Sequence, residues 1–187
     1  DVGINRMESS SLIFVTGGVR SGKSSFAEKL AIERAKEIGG KLHYVATSET
    51  VDEEMKRRIA RHQKERAEGE FPWKTWEQPS DIGKLAAYFQ KGDILLLDCL
   101  TTLINNELYL TNDTEEEIFH RVETGIAALK ERCSMLIIVS NEVLFDPAGE
   151  NKLVLTYWKL IGRLHQKIVK MADEAYLVEC GIPIRKK

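Results

Sequence analysis

The sequence predicts a single α/β domain in which a mainly parallel β-sheet is flanked by helices, and two observations predict it. Short, β-branched apolar runs recur along the 187 residues at 12–16, 42–46, 94–98, 135–140 and 175–180. Helical apolar periodicity fills the intervals between them, which is the spacing of βαβ units. Continuous apolarity suits strands buried on both faces, so right-handed crossovers should place helices over both sides of the sheet. About 190 residues is enough for one core and cramped for two, so residues 7–187 are expected to form one unit. Residues 1–6 precede Met7 and are expected to be a remnant of expression outside the fold.

The first strand, 12–16, runs into Gly17-Gly18-Val19-Arg20-Ser21-Gly22-Lys23-Ser24, the Gly-x-x-x-x-Gly-Lys-Ser pattern in its proper context between strand and helix. Glycines let the backbone turn tightly and aim N–H groups inward. The following helix adds its positive dipole end, so the whole is a phosphate cradle, or P-loop. Lys23 is expected to reach the β- and γ-phosphates, Ser24 to supply one ligand to Mg2+, and Arg20 to add a phosphate contact.

Helices are expected at 23–38, 52–67, 81–90, 114–132 and 151–173. Gly39-Gly40 ends the first where a positive φ is needed. Thr50 and Glu53 have the spacing of a capping box for the second. Thr75 and Trp76 suggest a short extra strand at 74–77, closed by Pro79. Residues 69–79 and 145–150, with their Pro and Gly, are expected to form loops around it and before the last helix. The run Ile94-Leu95-Leu96-Leu97-Asp98 has the form of a strand that ends in a magnesium-binding carboxylate. A strand-terminating Asp also serves as a plain turn residue, and only the P-loop upstream favours the metal role.

On the second helix, Met55, Ile59 and His62 are spaced i, i+4 and i+7, so His62 is expected to face inward with them. Two readings stay open. It is a core histidine satisfied by a hydrogen bond, or a neutral imidazole able to attack an α-phosphorus, kept unprotonated by Arg57, Arg58, Arg61, Lys64 and Arg66 nearby.

Composition narrows the function. A formal net charge of −2 gives no field to gather nucleic acid or an anionic membrane. Cys99, Cys133 and Cys180 lie far apart with no Cys-x-x-Cys pair, which argues against a disulfide framework or a zinc site and for a reducing cytoplasm. No apolar run approaches the roughly 20 residues of a membrane span.

Several signatures occur in order: Val15 to Ser24, Tyr44-Val45-Ala46-Thr47-Ser48, Asp52-Glu53-Glu54-Met55, and Arg58-Ile59-Ala60-Arg61-His62. They continue with Trp73-Lys74-Thr75, Glu77, Asp98-Cys99-Leu100-Thr101-Thr102, Ser140-Asn141-Glu142-Val143 and Ala172-Asp173-Glu174-Ala175. Together they resemble the bifunctional adenosylcobinamide kinase/adenosylcobinamide-phosphate guanylyltransferase family over nearly the whole chain from Met7. The resemblance implies ATP and GTP as substrates, with adenosylcobinamide and its phosphate as acceptors. It implies transfer of GMP through a histidine that maps onto His62, release of pyrophosphate, and a homotrimer with sites near subunit interfaces. It further implies nucleotide contacts at Thr47, Ser48, Gln63, Lys64, Glu65, Arg66, Glu77 and Asp98, beside the P-loop residues 17–24. The chain departs from the family at Leu144-Phe145-Asp146-Pro147-Ala148-Gly149-Glu150, so no corrinoid contact is carried onto that loop. Two rivals explain part of the pattern. A generic P-loop kinase needs Lys23, Ser24 and Asp98 but not His62, and a regulatory GTPase would need an Asn-Lys-x-Asp motif that is absent.

Overall fold

The structure is a computed structural model that describes residues 10–49, 52–142 and 152–187. Its elements run β1 (Ser11–Gly17), α1 (Lys23–Ile38), β2 (Leu42–Ala46), α2 (Glu53–Glu68), β3 (Trp73–Glu77), a 3-10 helix (Ile82–Tyr88) and β4 (Ile94–Asp98). They continue with α3 (Leu100–Leu110), α4 (Glu115–Glu131), β5 (Met135–Asn141), α5 (Lys152–Met171), β6 (Glu174–Glu179) and β7 (Ile182–Arg185). The strands form one seven-stranded sheet in the order β3-β2-β4-β5-β1-β6-β7. Every neighbouring pair is parallel except β6 and β7.

Strand periodicity divides the core in two. Leu12 and Phe14, Leu95 and Leu97, and Leu136 and Ile138 face one side, where α3, α4, α5 and the 3-10 helix cover them. Ile13 and Val15, Ile94 and Leu96, and Ile137 and Val139 face the other, against Ala27, Ala31 and Ala35 of α1. Three alanines four residues apart line one stripe of α1, so its backbone comes close to the sheet and its N-terminus is held rigidly at the strand ends. Side chains inside such a core fill space closely, and truncating Leu96, fully buried in β4, would cost about 2–5 kcal/mol.

The expected elements at 23–38, 42–46 and 94–98 match the observed bounds, and Gly39 caps α1 with a φ of 69°. Four features differ. Residue Thr50 lies outside the described residues, and α2 is instead capped by Asp52, whose side chain accepts from the Glu54 N–H. Residues 82–88 form a 3-10 helix in place of an α-helix. Here Gly83 meets Gly125 of α4 so closely that a Cβ on it would lie 3.2 Å from the Gly125 Cα.

Helix α3 was not expected from the sequence. It buries Leu100, Leu103, Ile104 and Glu107, a helical stripe hidden by a charged residue at its fourth position. Glu107 is fully buried because Arg121 donates to its Oε2 at 2.7 and 2.9 Å and the Asp81 N–H to its Oε1 at 2.7 Å. Strand β7 was also not expected. It follows a two-residue turn in which Cys180 and Gly181 take φ of 49° and 75°, and its Pro183 is tolerated because the strand lies at the edge.

Candidate active site

The carboxyl ends of the parallel strands and the N-terminus of α1 converge on one cavity of about 790 Å3. Its wall includes Ser24, Glu28, Tyr44, Ser48, Ile59, His62, Gln63, Arg66, Glu77 and Asp98. Hollows at the opposite end of the sheet include a larger one, about 1080 Å3, edged by Ser10, Lys91, Lys130 and Met171. It gathers no comparable set of polar groups, so chemistry and not size selects the site.

The P-loop joins β1 to α1 with Gly22 in the left-handed region at φ 89°. No side chain caps α1, so the N–H groups of its first turn keep their capacity for an anion. Ser21 is buried, and its Oγ has no hydrogen-bond partner. An unpartnered buried hydroxyl in this loop suits a phosphate oxygen. The Lys23 ammonium folds back onto the Gly18 carbonyl at 3.0 Å, a bond it can exchange for a phosphate without moving its backbone. The turn between β6 and β7 braces the loop: the Gly181 N–H donates to the Ser21 carbonyl at 2.7 Å. Gly18 carries no steric demand for glycine, since a Cβ there would meet nothing within 4 Å. Val19 and Arg20 are exposed at the loop's tip, and Arg20 has a positive φ of 59°.

Asp98 ends β4 on the side of the sheet that α1 covers. Its Oδ2 accepts from Ser24 Oγ at 3.3 Å and from the Tyr44 hydroxyl. Burial, then the Asp98 charge, hold the Tyr44 phenol far above its ordinary pKa, so it remains a donor. Ser24 and Asp98 are hard oxygen donors, and no group of three His, Cys, Asp or Glu gathers among the described residues. Two such donors fit a Mg2+ that would take its other ligands from phosphates and water.

Helix α2 corrects the sequence expectation. None of its residues is buried. Met55 is 48% exposed and the His62 side chain 58% exposed, so His62 is not a core histidine. The stripe that faces the body is Ile59, Gln63 and Arg66, the half-buried residues of the helix. The apolar spacing had picked the wrong stripe, because Gln63 and Arg66 supply most of the inward contact. Gln63 Nε2 donates to Glu77 Oε1 at 3.2 Å. Arg66 lies over the Tyr44 ring, 3.8 Å from its centroid, with Glu28 at 3.8 Å. Burial raises the Glu28 pKa, and Arg66 opposes the rise. His62 flanks this stripe and reaches the cavity from its edge. Glu65 Oε2 stands 3.5 Å from its Nδ1.

The remaining expected contacts divide. Ser48, Gln63, Arg66, Glu77 and Asp98 share the cavity with His62. Thr47 is fully buried, and its hydroxyl donates to the Cys99 carbonyl at 2.8 Å and accepts the Cys99 N–H at 2.9 Å. It ties the end of β2 to that of β4, and in this state its side chain is committed to the scaffold. Lys64 points outward beside Glu68 at 3.9 Å. Tyr44 and Glu28 were not expected from the sequence. Their signal was faint: a tyrosine in an apolar strand and a glutamate one turn into the P-loop helix both read as ordinary packing.

Comparison with known proteins identifies the family. Residues 13–186 match the family model described as cobinamide kinase/cobinamide phosphate guanyltransferase. The bifunctional adenosylcobalamin biosynthesis protein CobU of Salmonella typhimurium is 34% identical over 94% of this chain and 99% of its own. The protein of the same name from Escherichia coli is 32% identical over the same shares. The bifunctional adenosylcobalamin biosynthesis protein CobP of Pseudomonas aeruginosa is 35% identical over 92% of this chain and 95% of its own. A match that runs from the first strand through the last, over a site holding a P-loop, a strand-end carboxylate and an exposed histidine, shows that the chain belongs to the cobinamide kinase/cobinamide phosphate guanyltransferase family.

Proposed function

We propose that this chain phosphorylates adenosylcobinamide and then transfers GMP from GTP to adenosylcobinamide phosphate, using one phosphate cradle for both reactions and His62 as the guanylyl carrier. The observation that carries the reading is that an exposed imidazole shares its cavity with Ser24 and Asp98. In the first reaction the corrinoid's own hydroxyl attacks the γ-phosphorus, so the protein has only to position and to stabilise charge. Lys23 and the first-turn N–H groups of α1 bind the phosphates, and Ser24 and Asp98 would hold Mg2+. When bound, the ion neutralises charge that develops on the phosphate oxygens.

In the second reaction His62 Nε2 attacks the α-phosphorus of GTP. A P–N bond forms as the bond from the α-phosphorus to the bridging oxygen breaks, and pyrophosphate leaves with that electron pair. The corrinoid phosphate oxygen then displaces the imidazole, which restores His62 and gives adenosylcobinamide-GDP. Glu65 beside Nδ1 steadies the imidazolium character that develops during attack. Arg66, Gln63 and Glu77 line the wall where the nucleoside would rest, and Ser48 adds a hydroxyl there. The reading includes the homotrimer implied by the family resemblance, which sedimentation equilibrium would test.

The deciding experiment is intact-protein mass after incubation with GTP and Mg2+. One added GMP is expected, lost in mild acid and retained in alkali as a phosphoramidate is. His62→Ala should lose the adduct and guanylyl transfer while keeping most of the kinase activity. A kinase that forms no adduct would return the chain to the generic P-loop class.

A further inference from the structure

We propose that Tyr44 is a two-faced positioning residue, whose hydroxyl orients Asp98 while its ring seats Arg66 and thereby fixes the helix that carries His62. Three observations converge on it. Tyr44 is 7% exposed, and its ring is wedged edge-on against Trp73, centroids 5.9 Å apart, so the side chain is closely held. Its hydroxyl and that of Ser24 both donate to the same oxygen, Asp98 Oδ2. Two donors on one oxygen fix the rotation of the carboxylate and turn Oδ1 away from them. On the other side, the Arg66 guanidinium covers the ring face at 3.8 Å.

That stack matters because α2 has so little else to hold it. No residue of the helix is buried, and among the described residues its inward stripe meets the body through half-buried Ile59, the Gln63–Glu77 bond and Arg66. Arg66 is seated by the ring more than by hydrogen bonds: its Nε has no partner and Glu28 is 3.8 Å away. A planar guanidinium on an aromatic face is stabilised by the ring's quadrupole and by dispersion, which an ammonium reproduces poorly. Arg66 follows His62 by one helical turn, so loosening it moves the imidazole relative to the phosphate bed. Through Tyr44, one strand residue serves both the metal-binding carboxylate and the carrier helix.

The two faces separate experimentally. Tyr44→Phe keeps the ring and removes the hydroxyl. Amide hydrogen exchange across residues 59–67 should stay at the wild-type rate. The Mg2+ concentration that half-saturates binding of a non-hydrolysable GTP analogue should rise several-fold, with binding in EDTA unchanged. Arg66→Lys does the reverse. Exchange in 59–67 should quicken about tenfold, while β1, β4 and β5 keep wild-type protection, and magnesium dependence should hold. Tyr44→Leu should show both effects if it folds. The conservative variant Arg66→Lys, which keeps the charge and leaves the sheet core untouched, keeps the test decisive if it does not. Wild-type exchange of α2 in Arg66→Lys, or wild-type magnesium dependence in Tyr44→Phe, would overturn the proposal. The catalytic consequence rests on His62 being the carrier, but the exchange measurement does not. A protein whose α2 loosens as expected, yet which forms no GMP adduct, would sink the carrier assignment and leave the latch standing.

Discussion

The P-loop and helix α2 are held to the body by opposite means. The loop is clamped between β1 and α1, with three alanines of α1 buried on the sheet and the β6–β7 turn bonded to its Ser21. Helix α2 lies outside both cores and touches the body through a half-buried isoleucine, an amide and a guanidinium. A phosphate cradle must be preorganised, since N–H groups stabilise developing charge only if they need not reorganise. A covalent carrier must instead meet a nucleotide, accept a group and hand it to a second substrate. An exposed imidazole on a lightly anchored helix suits that proposed role, since few buried contacts hold the helix in one place.

The largest effect expected from this contrast is at the cradle. Lys23→Ala should lower both guanylyl transfer and kinase turnover by about two to four orders of magnitude, because a preorganised charge partner is removed from a site used twice. Turnover measured separately for each reaction checks it. Loss of only one would mean that the two reactions do not share the P-loop, and the comparison would break.

Next comes a test of whether the body is as rigid as the contrast requires. Arg121→Ala removes the bidentate partner of Glu107, whose side chain is 1% exposed. A charge left unpaired inside the fold should cost about 3 kcal/mol, read as a lowered urea midpoint with an unchanged slope. The loss should appear as global unfolding, since Glu107 joins α3, α4 and the segment before the 3-10 helix.

Sequence made the buried region far more legible than the exposed helix. Strands 42–46 and 94–98 and helix 23–38 could be read closely because apolar period, glycine punctuation and the phosphate motif agree there. The fully buried run Ile94 to Leu97 shows such agreement. Helix α3 escaped because Glu107 occupies a core position, and burial of a charge can be inferred only when its partner, 14 residues away, is known. Periodicity misread the direction of His62, and its proposed role rests on the family resemblance. The i, i+4, i+7 rule assumes that the inward face is apolar, whereas α2 turns Gln63 and Arg66 inward because their partners are Glu77 and the Tyr44 ring. The loop at 144–150, where the chain departs from its family, lies outside the described residues.

The smallest expected effect separates two adjacent residues that the family resemblance treats alike. Gln63 and Lys64 follow His62 in sequence, but about 100° of helical rotation sends their side chains in different directions. Gln63 is half-buried, lines the cavity and bonds to Glu77. Lys64 is 73% exposed and lies 3.9 Å from Glu68, the i, i+4 geometry of a solvent-facing pair. Such a pair is screened by water and holds two long side chains in one arrangement for little gain, so Lys64→Ala should change stability by less than about 0.5 kcal/mol. Its KM for GTP should move less than about twofold, while Gln63→Ala should raise that KM several-fold by removing a wall residue and freeing Glu77. Steady-state kinetics at saturating corrinoid phosphate, with both variants melted alongside wild type, distinguishes the outcomes. If Lys64→Ala raises the KM as much as Gln63→Ala does, the nucleotide reaches the outer face of α2. The helix must then turn, or a neighbouring copy must bring its nucleotide there, and the division of α2 into an inward and a solvent face would fail.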